Sequence, residues 1–500
     1  MTTLAAPIRK VVIVGGGTAG WMTAAALSQV VSSDVAVTLV ESEEIGTVGV
    51  GEATIPSLLD FNRILGIDED EFVRATQATF KLGIQFRNWA CIGDAYIHPF
   101  GTHGRDIAGL SFHQLWLRDG GASAIGDYCL SHVAAHMGRF NRPVADPSAV
   151  LSTLSYAFHF DAGLYAAYLR RLSEAAGAVR IEGRIAAVAR HASNGFIEAV
   201  TLADGRRIEG ELFVDCSGFR SLLLGDALNV PFTSWQHWLP CDRAWAVPSR
   251  RVGALTPYTC ATAERAGWRW RIPLQHRVGN GHVYSSAHID DDAARRALLD
   301  GLESELLAEP RQLRFVAGRR ARLWEGNCVA IGLSGGFLEP LESTSIHLIQ
   351  SGITRLISLF PDTAFNPVEI AEYNRLLLRE YEQVRDFIIL HYHATTRSDS
   401  PFWDHCRTMD VPTSLFDKLA LWADKARLFR QQGELFTPDS WIAVLLGQGQ
   451  RPAAFDPLVA ALPQAESARF LAHLRDVIGK TAAAMPTHDQ FIARHCAAPA

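Results

Sequence analysis

The first forty residues alternate between wholly apolar runs and a glycine cluster. Residues 11–14, VVIV, form a run of strand length, and residues 21–31, WMTAAALSQVV, form a longer run of helical length. The segment GGGTAG separates them, and a further apolar run, VAVTLV, ends at Glu41. This order predicts a β-α-β unit with a tight turn after its first strand.

Apolar spacing predicts the elements that follow. We expect helices over residues 55–66, 68–80, 161–176, 343–360, 379–393, 414–429 and 437–447. We expect strands over residues 179–181, 185–190, 197–202, 211–216 and 327–331. Thr437 is placed to cap the last of these helices, with Pro438 at its first position and Gly447 at its end. Strands in the middle of the chain and helices in its last third predict an α/β protein.

Composition narrows the classes of function. A chain of 500 residues indicates two or more packed domains. Its net charge is −6 and its basic residues are scattered, so we expect no nucleic-acid partner. None of the eight cysteines forms a CxxC pair, so we predict no metal site and reduced thiols in the cytoplasm.

The charge-free segment 11–31 follows Arg9 and Lys10, a pattern that also occurs in signal peptides and approaches the length of a membrane span. Four glycines at positions 15, 16, 17 and 20 interrupt it, and only four apolar residues precede them. We therefore favour a nucleotide-binding turn over a secretory or membrane segment, and expect a cytoplasmic protein without a membrane partner.

The glycine cluster has the spacing of a dinucleotide-binding turn, Gly15-x-Gly17-x-x-Gly20. Gly15 permits the turn, Gly17 lets a pyrophosphate approach the backbone, and Gly20 lets the helix pack on the strand. Glu41 follows Gly20 by 21 residues and ends the second strand, where a carboxylate can accept hydrogen bonds from ribose hydroxyls. A glycine-rich turn without a ligand is the less favoured alternative.

Lys81 is the one charge in the segment ATQATFKLGIQF, residues 75–86. Lysine side chains usually extend to water and cover apolar neighbours with their stems. The alternative is a buried amine retained for chemistry. The local pattern leaves both interpretations open.

Several separated motifs resemble those of the flavin-dependent halogenases that act on tryptophan and indoles. The resemblance runs from Lys10 to about Leu462 and includes VIVGGGTAGWM, GVGEATIPS, FKLGIQFRNW, GWRWRIP and GLSGGFLEPLESTSIH. General flavin monooxygenases share the first and last glycine motifs but lack W-x-W-x-I-P. The order of these motifs makes the resemblance more specific than one glycine motif.

The resemblance implies a fold and its division into domains. The fold is a Rossmann-like FAD-binding fold of the glutathione-reductase and monooxygenase type, with an inserted β-rich substrate layer and a helical C-terminal region. The implied FAD-binding domain comprises residues 8–90, 180–220 and 320–360, and the substrate-side layer comprises 91–179 and 221–319. Residues 361–500 form the helical region.

The family's chemistry implies the reactants. FADH2 comes from a separate NADH-dependent flavin reductase, oxygen gives a flavin C4a-hydroperoxide, and halide attacks it to make hypohalous acid. A lysine then directs the oxidant to a small aromatic substrate, and Lys81 has its position in the motif. This match favours the buried amine. By the same resemblance, the FAD contacts are Gly15, Gly17, Thr18, Ala19, Gly20, Glu41, Ala53, Val188, Leu333 and Ile346.

The remaining site residues also follow from the resemblance. Glu342 would stabilise the cationic arene intermediate and take its proton, and Ser343 would orient Glu342 or act on the lysine. The backbone N–H groups of Thr344 and Ser345 would hold the halide at a helix start. Simple capping by Ser343 or Thr344 is compatible with that role. Glu339 is expected to be structural.

The substrate side is the least specified. His98 and Phe100 occupy the positions that sandwich an indole ring, although plain packing explains them equally. Ser440-Trp441 stands where tryptophan-specific members carry a lid with a tyrosine pair, and the segment is shorter here. We therefore expect indole or a simple indole derivative, with Trp441 at the substrate. An FAD-dependent aromatic hydroxylase is the alternative, and a flavoprotein without turnover is a third hypothesis.

Overall fold

The computed structural model describes residues 5–44, 51–107, 109–119, 121 and 123–499. Gly49 and Val50, the start of the GVGEATIPS motif, lie outside these residues. The strands are β1 Lys10–Val14, β2 Ala36–Glu41, β3 Gly51–Ala53, β4 Thr79–Lys81, β5 Gly83–Arg87, β6 Ala95–Pro99, β7 Ala157–Asp161, β8 Val179–Glu182, β9 Ile185–Arg190, β10 Ile197–Leu202, β11 Arg207–Glu209, β12 Leu212–Asp215, β13 Phe232–Ser234, β14 Arg243–Arg250, β15 Thr259–Glu264, β16 Gly267–Pro273, β17 Arg277–Tyr284, β18 Arg311–Arg314, β19 Gly318–Arg320, β20 Trp324–Glu325, β21 Cys328–Ala330 and β22 Gly336–Phe337.

The α-helices are α1 Thr18–Val30, α2 Ser57–Ile64, α3 Glu69–Ala75, α4 Phe112–Arg118, α5 Leu130–His136, α6 Ala162–Ala175, α7 Asp291–Asp300, α8 Ser345–Ser358, α9 Pro367–His393, α10 Pro401–Thr408, α11 Thr413–Lys425, α12 Pro438–Gly447, α13 Gln464–Ala484 and α14 His488–His495. Short 3₁₀ turns cover Ile125–Tyr128, Val150–Thr153, Gly218–Arg220, Gly332–Ser334, Pro340–Glu342 and Pro457–Ala461, and Leu222–Ala227 is a π turn. Within the part of the chain described, no helix is both long enough and apolar enough to cross a bilayer.

A six-stranded sheet, in the order β20-β21-β12-β1-β2-β8, forms the centre of the FAD-binding fold predicted from the sequence. Its neighbours pair in parallel from β21 to β8, and only β20 runs antiparallel. All four residues of VVIV are buried because both faces of the strand are covered: Val11 and Ile13 pack on the side of α1, and Val12 and Val14 on the side of β10 and the π turn, which explains why the run has no polar position. The predicted β-α-β unit and α/β class are confirmed. Its strands come from four separated chain segments, while the predicted domain boundaries stay predictions.

A second, seven-stranded sheet has the order β18-β14-β17-β16-β15-β5-β6. The W-x-W-x-I-P motif occupies β16 in its interior. Strand β5 follows Lys81 and pairs with β6, which carries His98. This sheet therefore brings the tryptophan motif and His98 to the same layer.

A small sheet, β3-β7-β4, joins the two larger ones at the site. Strand β7 pairs with both neighbours, so that Ala53 lies opposite His159 and Lys81 lies opposite Ala157. Ala53, on the predicted cofactor side, and Lys81 are thus placed by one common strand.

The helix predicted over residues 68–80 is too long. Helix α3 ends at Ala75, Gln77 adopts φ 55°, and Thr79–Lys81 form β4. Pairing with β7 and complete burial of Phe80 override the helical spacing, because a short apolar run does not distinguish the two structures by itself. Lys81 therefore lies on a strand and not beyond a helix end.

Candidate active site

A cavity of about 570 Å³ lies at the carboxyl ends of the parallel strands β1, β2, β12 and β21. Gly15, Glu41, Cys216 and Leu333, each at or just after one of these strand ends, line it. This is the place where open α/β sheets bind nucleotides. The position of the cavity agrees with the one predicted from the glycine spacing.

The glycine turn fits a pyrophosphate. Gly15 has φ 112°, and a Cβ there would overlap the carbonyl of Cys216. A Cβ on Gly17 would meet no atom within 4 Å, so the backbone at the start of α1 is open to the cavity. A Cβ on Gly20 would overlap the carbonyl of Gly15, which is the helix packing predicted for that glycine. These residues fit a dinucleotide such as FAD at the N-terminus of α1.

Most of the other predicted cofactor residues lie on the same wall: Thr18, Ala19, Glu41, Ala53, Leu333 and Ile346. Glu41 also accepts a hydrogen bond from Arg180. Gly20 packs behind the turn and does not line the cavity. Val188 lies on β9, half-buried against the core cluster around Val200, while Ile185 on the same strand reaches the cavity. Ile185 is therefore a better candidate than Val188 for the predicted contact with adenine.

Lys81 is buried, with 0% of its surface exposed. Its Nζ donates hydrogen bonds to the Thr54 carbonyl at 2.9 Å and to Ser343 Oγ at 2.8 Å. It lies 5.1 Å from the centre of the Phe100 ring. Burial lowers the pKa of Lys81 to about 7, although the negative charge of Glu342 acts in the opposite direction. The surface interpretation of Lys81 is wrong.

Glu342 is a buried carboxylate between two histidines. His98 Nδ1 lies 2.9 Å from Oε2 and 3.1 Å from Oε1, and His391 Nε2 lies 2.7 Å from Oε1. Burial by itself raises the pKa of Glu342, but His98 and His391 outweigh it and lower the pKa to about 2. The carboxylate therefore stays ionised at neutral pH.

Ser343 connects the cavity to Lys81. Its side chain lies on the cavity wall, and its Oγ accepts the hydrogen bond from Nζ. Ser343 follows the 3₁₀ turn Pro340–Glu342 in a left-handed conformation, φ 59° and ψ 34°. This conformation is costly for a residue with a Cβ, so the turn holds it in place.

The start of α8 offers donors to an anion. Ser345 lines the cavity, and Thr344 immediately before it is fully buried. Within the described chain, neither backbone N–H donates a hydrogen bond to a protein group. Two unpaired N–H groups at the positive end of a helix are suited to a halide.

Glu339 has the structural role predicted for it. It also links its turn to Trp268 and Tyr392, which the sequence did not reveal. Its Oε2 accepts hydrogen bonds from Trp268 Nε1 at 2.7 Å and from the Tyr392 hydroxyl at 2.6 Å. Burial raises the pKa of Glu339 to about 7. The first tryptophan of W-x-W-x-I-P thus anchors the turn that carries Glu342 and Ser343.

Two of the three residues predicted at the substrate, His98 and Trp441, belong to one aromatic cluster around Phe387, while Phe100 packs separately with Ile55 and Ala157. Phe100 lies beside Lys81, and the His98 ring meets Phe387 edge-on at 5.6 Å. Trp441 meets Phe387 at 5.0 Å, and Phe436 stacks on Phe387 at 3.8 Å. The nitrogen of His98 that faces the site is engaged with Glu342. The sandwich of an arene between His98 and Phe100 stays a prediction.

Sequence reasoning missed His391, Phe387 and Phe436. His391 and Phe387 lie in the apolar half of α9, where FIILHYH resembles an ordinary buried helix face. A histidine within such a run was the available signal, because a fully buried histidine needs a polar partner.

Comparison with known proteins agrees with this architecture. A family model described as tryptophan halogenase matches residues 10–464. Tryptophan 6-halogenase SttH from Streptomyces toxytricini is 36% identical over 513 residues, which cover 97% of this chain and 98% of SttH. Tryptophan 7-halogenase RebH from Lentzea aerocolonigenes is 36% identical over 503 residues, covering 92% and 93%.

Solved structures extend the comparison. Xcc4156, a flavin-dependent halogenase from Xanthomonas campestris, has 52% identity and a TM-score of 0.96, with 99% of each chain covered. BrvH, a flavin-dependent halogenase from Brevundimonas sp. BAL3, has 49% identity and a TM-score of 0.94, covering 98% of this chain and 99% of its own. The chain is therefore a flavin-dependent halogenase and belongs to the tryptophan halogenase family.

Proposed function

We propose that this enzyme halogenates indole or a simple indole derivative, with Lys81 directing hypohalous acid to the arene and Glu342 accepting the proton. One observation carries the proposal: Ser343 lies on the wall of the cavity and accepts the hydrogen bond of Lys81 at 2.8 Å. An oxidant made at the cavity needs to pass only this residue to reach the amine.

Bound FADH2, delivered by a separate NADH-dependent reductase, supplies the reducing equivalents with which oxygen and halide yield hypohalous acid. The glycine turn and Glu41 hold its dinucleotide, and Ala53, Leu333 and Ile346 border its ring system. Thr344 and Ser345 hold chloride or bromide through their N–H groups at the start of α8. The buried wall at Ser343 keeps bulk water from the oxidant.

The burial of Lys81 suits either form of the amine. With a pKa of about 7, neutral and protonated forms are both accessible at neutral pH. The neutral amine can form a haloamine, and the ammonium can hold hypohalous acid by a hydrogen bond. In both cases the hydrogen bonds to Thr54 and Ser343 fix the direction of Nζ.

Glu342 completes the reaction. Attack by the arene forms a carbon–halogen bond and leaves a positive charge on the ring, while the bond from the halogen to the hypohalous acid oxygen or to the Lys81 nitrogen breaks. The departing group takes a proton and leaves as water or as the free Lys81 amine. The ionised carboxylate stabilises that charge, then takes the ring proton and restores aromaticity. His98 and His391 keep Glu342 ionised until that step.

The substrate proposal rests on charges near the lid. Lys418 and Glu434 pair with each other, and Glu434 also accepts the Trp441 Nε1–H at 3.1 Å. Both oxygens of Glu434 are thus engaged, because the other accepts the Gln431 N–H, and the charge of Lys418 is compensated within the pair. SttH and RebH are named as tryptophan halogenases, whereas this arrangement favours an arene without the ammonium and carboxylate of an amino acid.

The test supplies the enzyme with FAD, a flavin reductase, NADH, oxygen and indole, with bromide or chloride in parallel. Mass spectrometry should show monohalogenated indole, and Lys81→Ala should abolish it while keeping FAD binding. Hydroxylated product without halide would replace the proposal by the hydroxylase alternative. FAD binding with no product from indole, tryptophan or larger indoles would favour the flavoprotein without turnover.

A further inference from the structure

Behind Glu342 lies a chain of buried and half-buried polar groups, of which the proposed chemistry uses only His391. His391 Nδ1 lies 3.2 Å from the Tyr96 hydroxyl, and Gln448 Nε2 donates to that hydroxyl oxygen at 3.2 Å. The three residues come from α9, β6 and just beyond the end of α12. With Glu342, they form a continuous line of four polar side chains through an otherwise apolar layer.

Each group in this chain has its orientation determined by the next. Gln448 Nε2 also donates to the backbone carbonyl of His391 at 3.0 Å, which requires the amide nitrogen and not its oxygen to face Tyr96. Because Gln448 donates to the Tyr96 oxygen, the hydroxyl hydrogen is available for His391 Nδ1. A ring that accepts at Nδ1 carries its hydrogen on Nε2, which faces Glu342.

The packing holds these groups in line. Phe86 stacks on Tyr96 at 5.0 Å and on His391 at 4.6 Å, forming a column of three rings. Gly447 leaves room for this column, because a Cβ there would overlap the Tyr96 ring. Burial lowers the pKa of His391, so the ring is neutral and its tautomer decides what Glu342 meets.

We infer that Tyr96 and Gln448 are positioning residues that fix the Nε2–H tautomer of His391, so that a neutral ring donates a directed hydrogen bond to Glu342. This inference rests on the proposed function of Glu342. Nε2 lies 2.7 Å from Oε1 without an aligned hydrogen bond in this structure, so the assignment rests on that distance and on the donors behind the ring. With the other tautomer, a nitrogen lone pair would face the carboxylate.

The consequence concerns the ionisation of Glu342. The titratable groups that face it are Lys81 from β4, His98 from β6 and His391 from α9. Losing the His391 donor leaves His98 and Lys81 in place but removes one of the interactions that oppose desolvation. The carboxylate then protonates at a higher pH and fails as a base over a wider acidic range.

The test uses Tyr96→Phe, which removes the hydroxyl and keeps the ring column. The first readout is ¹⁵N NMR of labelled histidine side chains, with the His391 signals assigned by their loss in His391→Gln. We expect the Nε2–H tautomer in the wild type and a shift toward Nδ1–H in Tyr96→Phe. This readout needs no turnover, so it stands apart from the proposed function.

The second readout is halogenation. We expect Tyr96→Phe to lower kcat at neutral pH about tenfold, with KM for halide unchanged. The His391→Gln variant retains an N–H donor but has no tautomer to fix, so Tyr96→Phe should cost nothing further in that background. Tyr165→Phe, which removes a buried hydroxyl bonded to Asn62, is the matched control with unaltered kcat.

Two outcomes would overturn the inference. One is an Nδ1–H tautomer in the wild type. The other is a lower kcat in Tyr96→Phe with an unmoved tautomer, which would make the hydroxyl merely structural. A wild type that does not halogenate would overturn the proposed function instead, while the NMR result would still decide the tautomer.

Discussion

Trp268 Nε1 donates a 2.7 Å hydrogen bond to Glu339, and this contact joins the W-x-W-x-I-P strand to the turn that carries Glu342 and Ser343. The donor and acceptor are 71 residues apart in the chain and both are buried. The motif therefore acts on the site through a hydrogen bond at its first tryptophan. The position of the turn that carries Glu342 and Ser343 therefore depends in part on the indole N–H of Trp268.

Trp268→Phe tests this contact. The variant keeps most of the ring volume but removes one of the two donors to Glu339 Oε2. We expect the free energy of unfolding to fall by about 1.5–3 kcal/mol, the range for a hydrogen bond to a charged group. Urea unfolding and kcat would be measured together, and kcat should fall as the turn loosens. Unchanged stability and kcat would show that the Tyr392 hydroxyl alone anchors Glu339.

Lys81→Met tests the burial of the amine through the pH dependence of stability. In the folded protein the pKa is about 7, against 10.5 for a free lysine. Between these values the unfolded chain binds the proton and the folded chain does not, so the stability of the wild type rises with pH. Relative to Lys81→Met, we expect a gain on the order of 5 kcal/mol from below pH 7 to above pH 10.5. Parallel pH curves for the two proteins would contradict a buried, neutralised lysine.

Ser345→Ala and Ser345→Pro separate the backbone from the hydroxyl in halide binding. The proposed ligand is the N–H at the first position of α8, and proline removes it. Because Thr344 has φ −90° and ψ −6°, a conformation that a following proline disfavours, the stability of this variant is measured alongside. Ser345→Ala keeps that N–H and should change KM for bromide less than about threefold, whereas Ser345→Pro should raise it about tenfold or more. FAD binding, followed by flavin fluorescence, controls for damage to the cavity. A KM for bromide that rises equally in both variants would assign the halide to the Ser345 hydroxyl.

Ser343→Gly and Ser343→Ala separate backbone strain from side-chain chemistry. Both variants remove the oxygen that accepts the Lys81 hydrogen bond, so both should halogenate slowly. Glycine adopts φ 59° without penalty, and Ser343→Gly should therefore be more stable than Ser343→Ala by about 1 kcal/mol. Thermal unfolding measures the difference. A more stable alanine variant would mean that the turn relaxes out of the left-handed conformation.

Local patterns predicted the parts of the molecule that depend on neighbours in sequence. The glycine turn, β1, α1 and the position of Glu41 are consecutive, and the structure places them as expected. The predicted end of the helix at residue 80 was wrong because long-range pairing of Lys81 with β7 makes residues 79–81 a strand. His391 was missed because its role comes from Glu342, 49 residues earlier, and not from its own helix. Ile185 lines the cavity and Val188 does not, because only the three-dimensional fold determines which end of β9 lies at the cavity.

Strand β7 pairs with β3 on one side and with β4 on the other. It therefore fixes the distance between Ala53 on the cavity wall and the Lys81 side chain. Ala53 and Lys81 are spaced by hydrogen-bond register with the same five residues, Ala157–Asp161. Loops around the site can change in length without altering that spacing. A shift of β4 by one residue along β7 would turn Lys81 to the opposite face and put Phe80 at the site. The register of β4 on β7 therefore decides whether the amine of Lys81 or the ring of Phe80 faces Ser343.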